Sequence, residues 1–207
     1  MMRYGRWSLL LVWVGYFWLL NPVPGFAAPG LVATSAQLEF APQRQKWLLS
    51  GDFEVQIGDS LRDAIDRGIA VYFLVELKVV QPRWYWFDRK VLEKRQQVRL
   101  MYNALSRTYL ISRGQERVAA HTLAEALKEV GVVHAWPVAE QHDLEPEEDY
   151  RARLQMTFDL ASLPKPIQVS ALTDGQWSPA ATALTWDFSM NAQGQVIQHQ
   201  GERLRLD

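Results

Sequence analysis

"YRARLQMTFDL", residues 150–160, alternates without a break. Tyr150, Ala152, Leu154, Met156, Phe158 and Leu160 are apolar, and Arg151, Arg153, Gln155, Thr157 and Asp159 lie between them. In an extended chain successive side chains point to opposite faces, so one face of this segment meets a core and the other meets water. That is the signature of a strand in an antiparallel sheet with one solvated side. "WLLSGDFEVQI" (47–57) repeats it, with Trp47, Leu49, Phe53, Val55 and Ile57 inward and Ser50, Asp52, Glu54 and Gln56 outward. Gln37 to Ala41 reads as a shorter partner strand, joined to it as a hairpin through the turn-like "PQRQK" (42–46).

Working outward, "IAVYFLVELKVV" (69–80) is apolar on both faces before it alternates at Glu76 and Lys78, and its β-branched and aromatic residues suit a central strand. Further strands are predicted at about Gln96 to Leu105, at Arg107 to Ser112 before the turn "RGQE", and at "ALTWDFS" (183–189). Two segments change to helical spacing. In "DSLRDAIDRG" (59–68), Asp59 or Ser60 caps, Leu61, Ala64 and Ile65 share a side, and Gly68 stops the helix. In "HTLAEALKEVG" (121–131), Thr122 with Glu125 forms a capping box, Leu123, Ala126, Leu127 and Val130 face inward, and Gly131 ends the helix. Helices this short need tertiary packing to persist. Two short helices among about seven strands predict a mainly β fold, an antiparallel β-sandwich, immunoglobulin-like in outline, with the two helices capping its open ends.

The first 27 residues stand apart from this pattern. Arg3 and Arg6 precede an uncharged run of 14 residues, Trp7 to Leu20, followed by Asn21, Pro22 and Pro24 and then the small residues Gly25 and Ala27. This is the layout of a signal peptide read by the general secretory pathway and cleaved near Ala27, and the run falls short of the ~20 apolar residues a spanning helix needs. The expected organisation is a signal peptide (1–27), a single domain (28–190) and a polar, flexible tail (191–207) containing four glutamines. No stable membrane span is expected after cleavage.

Removing Arg3 and Arg6 from the 22 basic residues leaves 20 against 23 acidic ones. A chain so close to neutral, with no Lys/Arg block, argues against a nucleic-acid partner and against an electrostatic membrane-surface binder. There is no cysteine, which excludes a lipoprotein and thiol chemistry and, in an exported chain, favours a bacterial periplasm.

Chemistry is sparse. His121, His134, His142 and His199 form no HxH or HExxH pattern, so neither a metal site nor another cofactor is expected. The acidic run "HDLEPEEDY" (142–150) lacks calcium-loop spacing and an ordering glycine and reads as a solvated loop. No serine sits in GxSxG or SxxK, and the glycines are isolated at turns and helix ends. No catalytic residue is assigned.

The segment that asks for an explanation is "QPRWYWFDRK" (81–90), with Trp84, Tyr85, Trp86 and Phe87 in succession. As a continued strand it would turn Trp84 and Trp86 to one side and Tyr85 and Phe87 to the other. Trp84 and Trp86 are then expected in the core, where an aromatic ring hides about 150–250 Å² from water, with Arg83 and Tyr85 outside. The competing expectation is a binding surface of Arg83, Trp84, Tyr85 and Trp86, since arginine and aromatic residues are the usual interface anchors.

"PRWYWFD" (82–88), "RLMYNALSRTYLIS" (99–112), "TLAEAL" (122–127) and "LPKPIQVSALTDGQW" (163–177), in that order, resemble the proteobacterial exported family called domain of unknown function 4390. The resemblance covers about residues 35–188, and the glutamine-rich extension after Phe188 departs from it. It implies an exported bacterial domain with no established activity and no catalytic residues to carry over. It also implies an envelope protein as partner, with a membrane sensor kinase as the candidate. The functional expectation is therefore a non-enzymatic periplasmic interaction module accessory to envelope signalling. A small-ligand or lipid carrier and an enzyme of unknown class stand as alternatives.

Overall fold

The computed structural model describes residues 30–163, 165, 168, 180–191, 196–198 and 202–205. The signal peptide expected over 1–27 lies outside the described residues. In chain order the elements are β1 (Gly30–Ala41), β2 (Lys46–Gln56), α1 (Asp59–Asp66), β3 (Val71–Gln81), β4 (Arg89–Asn103), β5 (Thr108–Arg113), β6 (Glu116–Ala120), α2 (Leu123–Gly131), β7 (Val132–Glu140), β8 (Asp149–Phe158), β9 (Ala180–Met190), β10 (Val196–Gln198) and β11 (Glu202–Arg205). Short 3₁₀ turns occupy Gln141–Asp143 and Leu160–Ser162.

The alternating segment at 150–160 sits where its pattern demands. Tyr150, Ala152, Leu154 and Met156 are all but fully buried along β8, which pairs with β3 on one side and β9 on the other. β3 buries Val71, Phe73, Val75, Leu77 and Val79 completely, as a central strand must. Tyr150 lies opposite Phe188, their rings stacked 5.3 Å apart, and Trp186 lies opposite the small Ala152.

The fold is mainly β, but the expected sandwich of two facing antiparallel sheets does not appear. All the described strands join one sheet, in the order β6-β5-β4-β3-β8-β9-β1-β2-β7, with β10 and β11 attached to β9. The pairing is mixed, because β1 runs parallel to β9 from Gly30↔Ala180 to Val32↔Thr182. A sequence reading of strand faces specifies which side is buried and not which strand is the neighbour. The sheet curls into a half-barrel that uses its own far side as the second wall. Two close approaches show this. The Cβ that Gly51 of β2 lacks would lie 3.2 Å from Leu154 Cδ2 of β8, three strands away in the sheet. Helix α2 also runs directly from edge strand β6 to edge strand β7 and touches β2 and β5, so the two edges face each other across it.

Both helices are where the spacing puts them. In α2 the capping box forms in full: Glu125 N donates to Thr122 Oγ1 at 3.2 Å and Thr122 N donates to Glu125 Oε2 at 3.3 Å. Leu123, Ala126 and Val130 are buried. In α1 the expected cap at Asp59 or Ser60 is absent: Gly58 takes the N-cap position without a side-chain bond. Packing of Leu61, Ala64 and Ile65 holds this helix, and Gly68 leaves it in the left-handed region at φ +84°. The helices pack on the single sheet, α1 on β4 and α2 chiefly on β2 and β5, instead of capping the ends of a sandwich. Val196–Gln198 and Glu202–Arg205, in the segment expected as a flexible tail, are strands paired antiparallel to β9.

The Tyr109 hydroxyl donates to Asp66 Oδ1 at 2.7 Å and ties β5 to the last residue of α1. Partial burial, then the bond to Asp66 and the charge of that carboxylate, push the phenol up to about 12 from an ordinary 10. The folded state therefore prefers the neutral phenol. Its contribution is fully present below the unfolded value near 10 and is lost as the pH rises through about 12. Tyr109→Phe is expected to flatten the alkaline fall in urea midpoint over that window. Parallel falls in the two proteins would show that the bond to Asp66 is not coupled to folding.

Candidate functional site: an aromatic hairpin tip

β3 and β4 pair from Val71↔Leu100 out to Gln81↔Arg89, and residues 82–88 close the hairpin. The pairing partner of β3 on its other side, β8, stops contributing at Val80↔Arg151, and β5 accompanies β4 only from Asn103 back to Val98. The distal part of β4 therefore has β3 beside it on one side and no strand on the other, and it is not confined to the span expected from Gln96. Its sequence, "RKVLEKRQ", carries charges along this free edge, which keeps a bare edge from pairing with other chains.

At the end of this arm the expected burial of Trp84 and Trp86 fails. Trp84 is 96% exposed, Tyr85 64%, Trp86 69% and Phe87 83%. The physical reason is the turn. Pro82 has no N–H for the ladder, and residues 84–85 turn back toward β4, so the alternation that would send one pair inward stops at Gln81. Among the described residues no further strand or helix lies beyond the tip to bury the rings. Among the described residues their ring contacts are with one another, Trp84 against Tyr85 with centroids 5.3 Å apart and Trp86 against Phe87 at 6.0 Å, both edge to face. Arg83 is exposed beside them. All four residues expected as a binding surface, Arg83, Trp84, Tyr85 and Trp86, thus stand together in solvent. Phe87 belongs with them, a residue the sequence reading left out. A run of aromatics bracketed by Pro82 and Asp88, both turn residues, was the available signal.

The arm is cross-linked below the tip. Glu76, the only buried charged side chain among the described residues, lies on the outer face of β3. Its Oε1 accepts from Arg95 Nε of β4 at 2.8 Å and its Oε2 from Gln155 Nε2 of β8 at 2.6 Å, with Lys78 Nζ 3.3 Å from Oε1. Arg95 and Gln155 are its in-register neighbours on the two adjacent strands. The carboxylate therefore cross-links three strands, and its burial is compensated by charge and hydrogen bonds. Arg95 also reaches Glu93, and Lys90 pairs with Glu93 nearer the tip.

Further along the same outer face Tyr72, Arg99, Ser112 and Arg117 fall in one row across β3, β4, β5 and β6. They line a groove of about 750 Å³ with Arg95, Gln97 and Trp136. That lining holds neither a carboxylate nor a histidine. A second groove of about 480 Å³ lies between Phe40, Trp47, Leu144 and Met190, with His142 at its rim. The acidic run is a turn, as expected, and is anchored by Leu144, which is buried, and by Glu145 N donating to the Tyr150 hydroxyl at 2.8 Å. Among the described residues no three His, Asp or Glu side chains are placed to hold a metal ion. No described helix is long and apolar enough to cross a membrane.

Comparison with known proteins adds one finding. A family model described as "Domain of unknown function (DUF4390)" matches residues 31–187, which is most of the chain. No curated protein and no solved structure matches it.

Proposed function

We propose that this chain, which belongs to the DUF4390 family, is a non-enzymatic interaction module of the bacterial envelope whose working surface is the hairpin tip at 83–87. The observation that carries the reading is the simultaneous exposure of four consecutive rings on an arm whose base is cross-linked by Glu76. Leaving so much aromatic area in water is costly at roughly 25 cal/mol per Å², and soluble domains rarely present it without a partner. Aromatic and arginine side chains at the centre of a contact supply most of its binding energy. Rigid presentation spares the entropy of ordering a loop on binding.

Export to the periplasm and an envelope partner, with a membrane sensor kinase as the candidate, belong to this proposal. The carrier and enzyme alternatives have no comparable observation behind them. The test is site-specific photo-crosslinking in cells from position 85, with position 118 on β6 as an exposed control. The expected result is a tip-specific adduct lost in Trp84→Ala/Trp86→Ala, while the thermal midpoint of the purified protein stays unchanged. Equal adducts from both positions would remove the tip from the function.

A further inference from the structure

We infer that the tip docks into the interface of an anionic phospholipid bilayer, with the rings among the headgroups and acyl boundary and the cations at its base against lipid phosphate. This rests on the reading that the tip is the working surface and names what it meets.

Shape is the first argument. The rings crown a convex, narrow hairpin end, with Trp84 almost fully in solvent. A convex end needs a deep complementary pocket in a protein partner, whereas a bilayer interface accepts it without one. Residue type is the second. Tryptophan and tyrosine combine an apolar body with a polar N–H or O–H, and they concentrate at the headgroup level of membranes for that reason. Phe87 adds a purely apolar ring. Trp84, Tyr85, Trp86 and Phe87 splay as two edge-to-face pairs and do not fold back on the domain, so all four enter the same layer together.

Charge is the third. The whole chain carries a formal net charge of −1, which taken alone argues against an anionic surface. The distribution reverses that conclusion locally. Over residues 82–95 five cations, Arg83, Arg89, Lys90, Lys94 and Arg95, face two carboxylates, Asp88 and Glu93. Glu93 is engaged by Lys90 and Arg95, which leaves Arg83, Arg89 and Lys94 without a carboxylate partner among the described residues. Each cation near an anionic leaflet contributes about 1 kcal/mol. The acidic run at 143–149 connects β7 to β8 and reaches the foot of the hairpin, where Gln81 Nε2 donates to Glu148 Oε2 at 2.5 Å, while Arg83 and the rings lie past that bond, in the turn that follows Gln81. Arg83 and the four rings therefore stand together in the turn, beyond the acidic foot of the hairpin.

The form to test begins at Ala28, because every described element lies beyond that residue. It is mixed with vesicles of phosphatidylethanolamine and phosphatidylglycerol in equal parts, with phosphatidylcholine vesicles as the neutral comparison, and sedimented. The expected result is binding to the anionic vesicles that weakens with salt. It falls about ten-fold or more in Trp84→Ala/Trp86→Ala and is reduced in Arg83→Gln/Arg89→Gln. Circular dichroism confirms that each variant remains folded. Binding equal in the aromatic variant overturns the inference. Absence of vesicle binding, together with a tip-specific protein adduct in the crosslinking experiment, also overturns it while leaving the interaction-module reading intact. Failure of both experiments removes both.

Discussion

Trp186→Ala is expected to destabilise the domain by about 3–5 kcal/mol, and Trp84→Ala by less than about 0.5 kcal/mol. The two residues have the same chemistry and opposite surroundings. Trp186 is 2% exposed on the inner face of β9, beside Ala152 of β8, with Val79 of β3 opposite that alanine. Removing the indole leaves a void that small Ala152 cannot fill, and closing it would require the curl to tighten. For a domain of this size the loss corresponds to a fall of roughly 6–20 °C in Tm. Trp84 touches the Tyr85 ring and is otherwise almost wholly exposed. Thermal unfolding followed by circular dichroism checks both. Similar losses for the two variants would mean that the tip is packed and not free, and the proposal for its function would go with that result.

Gly131→Ala should cost about 3 kcal/mol, near the upper end of overpacking effects. Gly131 is the last residue of α2, and a Cβ there would lie 2.2 Å from the backbone oxygen of Phe53 in β2. A backbone atom cannot swing aside as a side chain can. The helix must lift from β2, and this helix joins the two edges of the curled sheet. Gly114 gives the comparison. It lies at φ +56° in the β5–β6 turn with nothing within 4 Å of its missing Cβ. Gly114→Ala therefore meets only backbone strain, about 1 kcal/mol. Urea midpoints for the two variants separate the causes, and a Gly131→Ala midpoint at the wild-type value would rule out the close approach.

Much of this architecture was legible in residue patterns, and the failures have physical causes. Period-two alternation placed β2 and β8 because their two faces meet different solvents. Helical spacing, Gly68 and the Thr122–Glu125 capping box placed α1 and α2 because those signals act within a few residues. The first half of β4 was missed because its charged free edge obscures the alternation. The parallel β1/β9 pair was missed because Gly30–Val32 and Ala180–Thr182 are distant in the chain, and partner choice leaves no mark in either segment. At the tip, Arg83, Trp84, Tyr85 and Trp86 were the named candidates, and all four are exposed. Their exposure was misjudged by extending the strand rule past Pro82.

Local chemistry in the sequence thus determined both helices and the strongly alternating strands, which of their faces are buried, and that the aromatic run at 84–87 needed an explanation. Tertiary structure decided that the sheet is continuous and curled, that α2 bridges its edges, and that the rings of the β3–β4 turn are exposed. A side chain's preference for leaving water is written in its own atoms. Whether another part of the chain arrives to cover it depends on contacts between residues far apart in sequence, and these exist only once the sheet has closed.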